Sequence, residues 1–163
     1  MRRFDQETAI AAIELEQMVA DYWREVDRNG AAHAADYFTE DGIAVMGPYS
    51  FEGRAGVAKF HADRAETACA QFGVGNRRSV HTVLNLHIVF EDKERATVNF
   101  ITVAYAGNGK LPVLNATIPV SVGEVRLECG RGADGQWLIH EFHGAPLFLC
   151  DDDYVKKALL APG

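Results

Sequence analysis

The sequence has no apolar run near the ~20 residues that span a bilayer, and Lys and Arg nowhere cluster into a stripe. Its net charge is −7. Phosphate backbones and anionic membranes are repelled at that charge, so neither nucleic acid nor membrane is expected as a partner. The opening Met-Arg-Arg-Phe-Asp-Gln-Glu turns acidic at once and lacks the apolar centre of a signal peptide. Cysteine is scarce: Cys69, Cys129 and Cys150 are odd in number and form no CxxC. Buried thiols in a reducing cytoplasm are the expectation. Glycine-rich phosphate loops are missing, and no Ser or Cys occupies a nucleophile elbow. Six histidines invite a metal, but their spacing refuses one. His81 and His87 stand about 20 Å apart along a strand at ~3.3 Å per residue, and His140 and His143 point to opposite faces. No metal and no cofactor is expected.

What is present fits one globular domain over residues 1–163, with a core at about 7–148 and a tail at 149–163. Ile10, Ile13, Leu15, Met18, Val19, Tyr22, Trp23 and Val26 recur at steps of three and four, so the spacing predicts a helix over 7–27. Asn29-Gly30 is a left-handed stop. A short helix at 32–38 follows, then a strand at Gly42–Pro48, its hairpin return at Phe51–Gly53 and a helix at 54–71. From Ser79 the period becomes two: strands at 79–91, 95–106, about 118–130 and 136–148, with Asp151–Asp153 able to cap a last helix. Strands this long exceed the usual length of about five or six, and twist accumulates along them. The sheet must curl, with the early helices on its concave side. The fold class is therefore α+β, a strongly curved mixed or antiparallel sheet enclosing a ligand-sized cavity.

Three polar residues stand out against this apolar frame. Tyr22 and Asp27 lie five residues apart near the end of the first helix, and His81 opens a long strand. A carboxylate, an imidazole and a phenol suffice for proton transfer. Each also has a plain structural reading. Asp27 can be a solvated loop acid, His81 a satisfied sheet-edge histidine, and Tyr22 a core aromatic with its hydroxyl at the rim.

Tyr22-Trp-Arg-Glu-Val-Asp27, Ala35-Asp-Tyr-Phe-Thr-Glu-Asp-Gly42 and Arg78-Ser-Val-His81-Thr-Val-Leu-Asn-Leu-His87 together resemble SnoaL-like members of the NTF2-like superfamily. Within it the likeness is to scytalone dehydratase, bile-acid 7α-dehydratase and lindane dehydrochlorinase. Asp134-Gly-Gln-Trp137 resembles a hairpin common across that superfamily. The resemblance implies a cone-shaped, cystatin-like fold and an Asp27–His81 pair. It also implies a lyase, a dehydratase or related eliminating enzyme, acting on a small hydrophobic cyclic molecule. His81 would be the general base, Asp27 its orienter and Tyr22 the donor to a developing oxyanion or departing oxygen. Asn85, Tyr105 and His143 are second-rank candidates for binding substrate. The base of the related ketosteroid isomerases is missing, because Met46-Gly-Pro48 stands at its place.

The alternatives are a polyketide cyclase- or isomerase-like enzyme using the same groups, and a non-catalytic ligand-binding or accessory protein of the superfamily. The outward apolar face of the 79–91 strand leads us to expect a homodimer or higher homo-oligomer.

Overall fold

The computed structural model describes residues 5–114 and 118–161. The stretch read for a signal peptide begins outside them. The first helix, α1, runs Gln6–Arg28, and Asp5 caps it by accepting from the Thr8 N–H at 2.8 Å. Ala11, Leu15, Met18, Val19 and Tyr22 are its buried stripe. Ile10 and Ile13 fall off that stripe and are exposed, which narrows the apolar face expected from the sequence. The helix stops where Gly30 and Ala31 both take positive φ, 65° and 62°. Glu25 secures the reversal: it accepts from the Asn29 side chain and from the His33 N–H. The end of α1, where Asp27 sits, is thereby fixed.

A 3-10 turn at Ala34–Tyr37 leads into β1 (Phe38–Met46) and the short β2 (Tyr49–Glu52). Helix α2 spans Gly53–Phe72, and four long strands follow: β3 (Arg77–Phe90), β4 (Arg95–Asn108), β5 (Ser121–Arg131) and β6 (Trp137–Leu149). Helix α3, Asp153–Leu159, closes the described chain. The sheet order is β2-β1-β6-β5-β4-β3; β1 runs parallel to β6 and every other neighbour is antiparallel. This is the mixed α+β sheet expected, open at its edges and curled. Its concave face packs Val98, Phe100, Leu127, Ile139 and Phe142 against Leu15, Val19, Tyr22 and Val57.

One irregularity decides which residues point inward. Between Leu84 and His87 the β3–β4 register shifts, and Asn85 takes φ 55° there. The extra residue inverts the alternation. His81 and Val83 lie inward before the bulge, whereas Leu86, Ile88 and Phe90 pack on the core after it. The single alternation expected for 79–91 is therefore two half-strands of opposite parity. Val80 and Leu84 remain half-exposed.

The segment read as a tail completes a wall. Val155 is buried against Ala104 and Val120. Tyr154 donates to the Arg64 carbonyl at 3.0 Å, Arg77 pairs with Asp152 at 2.8 Å, and Tyr49 donates to the Leu160 carbonyl at 3.0 Å. A Cβ at Gly47 would collide with the Leu159 carbonyl oxygen, so only glycine admits the end of α3 there. No helix among the described residues is long and apolar enough to cross a membrane.

Candidate active site

Between the helices and the concave sheet lies a cavity of about 450 Å³, in the range of small-molecule sites. Asp27 and His81 both line it. Asp27 occupies the last turn of α1, where free carbonyls disfavour a carboxylate. Three donors compensate. Oδ1 accepts from His81 Nδ1 at 2.7 Å and from Ser79 Oγ at 2.9 Å, and Oδ2 accepts from the His81 backbone N–H at 2.7 Å. Burial alone would raise the Asp27 pKa. The hydrogen bonds from the His81 ring and backbone and from Ser79, with the charge of His81, outweigh it and hold the carboxyl below its ordinary range.

An ionised carboxylate only accepts, so Nδ1 of the imidazole carries the hydrogen in this contact. Nε2 has no protein partner among the described residues. In the neutral ring it therefore presents a lone pair. Trp23 fixes the ring plane, stacking on His81 with centroids 4.2 Å apart and planes inclined by 20°. The pair is thus clamped by a carboxylate on its edge and an indole on its face.

Farther along the wall the polar atoms are treated differently. The Tyr22 hydroxyl, Trp23 Nε1, His61 Nε2 and Thr102 Oγ1 are all buried, and none has a hydrogen-bond partner. All four residues line the cavity. Tyr22 meets Trp23 edge-on at 5.1 Å and lies 6.4 Å from the His61 ring. Burial raises its pKa, so the phenol keeps its proton and can serve as a donor. Burial, with Arg64 nearby, pushes His61 down to about 4, so that ring is neutral at physiological pH. Leaving such groups unpaired costs about 1–3 kcal/mol each. Among the described residues no three His, Cys, Asp or Glu side chains are arranged to hold a metal ion.

A SnoaL-like domain matches over residues 7–143. The chain belongs to the SnoaL-like domain family. Its fold is shared with a scytalone dehydratase-like protein of Novosphingobium aromaticivorans (20% identity, 90% of each chain, TM-score 0.72). It is shared also with ActVI-ORFA of Streptomyces coelicolor (20% identity, 86% of this chain and 98% of that one, TM-score 0.71). A further N. aromaticivorans structure, described as NTF2-like with a cystatin-like fold, aligns at 20% identity over 98% and 99% of the two chains, TM-score 0.66. At these identities the likeness establishes the fold. No curated protein matches the chain.

In this SnoaL-like domain the residues expected from the sequence divide sharply. Asp27, His81 and Tyr22 meet at the cavity. Asn85, Tyr105 and His143 do not line it, which corrects the binding set. Asn85 is exposed at the β3 bulge. Tyr105 lies between Ala104 and Ala106, which face the cavity, so its own side chain falls on the other side of β4. His143 stands between cavity-lining Phe142 and Gly144 and pairs outward with Glu141 at 2.7 Å. Sequence reasoning missed His61 and the stacking role of Trp23. His61 follows Val57 by four residues on the buried stripe of α2, and that spacing was the available signal.

Proposed function

We propose that this SnoaL-like domain is a lyase that removes water, or another β leaving group, from a small hydrophobic cyclic substrate. His81 Nε2 takes a proton from a carbon acidified by an adjacent carbonyl, ring or halogen. The bond to Asp27 keeps the tautomer correct and stabilises the imidazolium that forms. Tyr22 donates a hydrogen bond to the oxygen where negative charge develops. The C–H electrons become the new double bond as the C–O bond breaks, and the proton held on His81 leaves with the hydroxide as water. Base, orienter and donor all come from the chain, so the step calls on no cofactor.

One observation carries the reading: an imidazole bound by a carboxylate at 2.7 Å presents its other nitrogen in a largely apolar cavity. The shared fold with a scytalone dehydratase-like protein of N. aromaticivorans supports the same reading. The test is a panel of cyclic β-hydroxy ketones, scored by the absorbance of the conjugated product. His81→Gln is expected to lower turnover about a hundred- to ten-thousandfold with its melting curve intact. Undiminished turnover in that variant removes the base from the mechanism.

A further inference from the structure

Arg64 is the feature that elimination chemistry leaves unexplained. It lies on α2, one turn beyond His61, and lines the same cavity. Its guanidinium carbon is 4.4 Å from the centroid of Tyr154 and 5.9 Å from that of Phe60. Among the described residues none of its N–H groups has an acceptor, and no carboxylate pairs with it. Every other arginine of the described residues either has an acid partner or is exposed. Arg77 is the instructive neighbour. It shares the Tyr154 ring at 5.3 Å, yet Asp152 neutralises it at 2.8 Å. Among the described arginines, Arg64 alone is partly withdrawn from solvent with no acid in direct contact; Asp152, held by Arg77, favours its charge only through space.

We propose that Arg64 receives a carboxylate of the ligand, so that the substrate is a cyclic carboxylic acid bound with its acid group away from Asp27. A cation drawn out of water is costly unless an anion meets it, and a guanidinium edge offers paired donors that fit a carboxylate. The aromatic faces of Tyr154 and Phe60 hold the group without using those donors. Burial also works against its charge, which favours a ligand that restores the balance. The ring contacts set the direction. His81 stacks on Trp23, Trp23 meets Tyr22, Tyr22 faces His61, and Arg64 stands one helical turn farther on. Arg28, Arg78 and Glu124 also line the cavity but are exposed, and Arg77 is paired with Asp152, which leaves Asp27 and Arg64 as the part-buried charges toward its two ends. Asp27 repels a ligand carboxylate from one end while Arg64 draws it to the other, leaving the ring carbons toward Nε2 of His81.

This inference rests on the cavity being the substrate site proposed above, and its test needs no turnover. Binding of 2-naphthoate and of its neutral isostere 2-naphthamide is measured by calorimetry on the full chain. The wild type is expected to prefer the naphthoate by about tenfold or more. Arg64→Gln is expected to erase the preference by weakening the naphthoate alone, and Arg64→Lys to retain part of it. His81→Gln keeps the preference intact, so failure of the elimination chemistry and failure of anion recognition give different results. Equal affinities in the wild type, equal weakening of both ligands in Arg64→Gln, or no binding of the naphthoate overturns the proposal.

Discussion

At the Asp27 end of the cavity both carboxylate oxygens have partners, whereas around Tyr22, His61 and Thr102 the buried polar atoms have none. The two regions share one hollow and touch through Trp23, which stacks on His81 and meets Tyr22 edge-on. They differ in what folding alone can satisfy. The first is complete in the protein itself, so the imidazole is oriented before any ligand arrives. The second leaves several groups unpaired at about 1–3 kcal/mol each, in a fold whose total stability is on the order of 5–15 kcal/mol. A ligand carrying hydrogen-bonding groups would lower that cost. On the proposed function, the satisfied end holds the reagent and the unsatisfied wall is the side a ligand would meet.

Breaking the satisfied end should have the largest effect. Asp27→Ala removes the acceptor of three hydrogen bonds and leaves a part-buried hydroxyl, an N–H and a ring nitrogen without it. A loss of about 2–4 kcal/mol in urea unfolding is expected, together with loss of turnover. A variant as stable as the wild type would show that the cluster contributes nothing to the fold. Asp27→Asn is the gentler probe and reads the charge. Because the Asp27 pKa is lowered in the folded state, its contribution is fully present above the ordinary carboxylate range and is lost as pH falls through its own depressed value. The gap in urea midpoint between wild type and Asp27→Asn should therefore shrink from about pH 6 to about pH 3. A constant gap would mean that the charge is not what the cluster stabilises.

The same contrast explains what could be read from the chain alone. Helix periodicity located Tyr22 and the end of α1, and strand length foretold the curl, because both follow from local pattern. Asp27 and His81 were paired by resemblance, since nothing local states how far a helix end lies from a strand 54 residues onward. The lining residues were misjudged for a physical reason. A polar or bulky side chain is the conspicuous candidate in a sequence, yet a cavity exists where side chains are small, and Ala104, Ala106, Gly123 and Gly144 form much of the sheet side of this wall. Tyr105 and His143 stand beside those small residues and face the other way. Asn85 was lost to a bulge that the alternating Leu84-Asn-Leu86 pattern conceals.

The unsatisfied wall answers to subtraction in the opposite sense. Tyr22→Phe deletes a buried hydroxyl that has no partner while keeping the ring packed against Trp23, Tyr37 and Phe142. The variant should be more stable by about 1 kcal/mol and slower in turnover, a pairing of signs that a purely structural tyrosine would not give. A stability loss would show that the hydroxyl is bonded in solution.

Thr102→Val carries the smallest effect and isolates the principle best. Val is close to Thr in shape, and Thr102 on β4 is buried with its Oγ1 unpaired, so the exchange removes a desolvated oxygen with little change of volume. A gain of up to about 1 kcal/mol is expected, with the cavity shape kept. If Oγ1 is a ligand contact, the stabilised variant should bind a carbonyl-bearing ring more weakly than the wild type and an all-carbon ring of the same outline equally well. Thr102 would then hold its polar atom for the ligand, at a small cost to the empty fold. Unchanged affinity for both rings would place that oxygen outside the receptor wall and confine the unsatisfied region to Tyr22, Trp23 and His61.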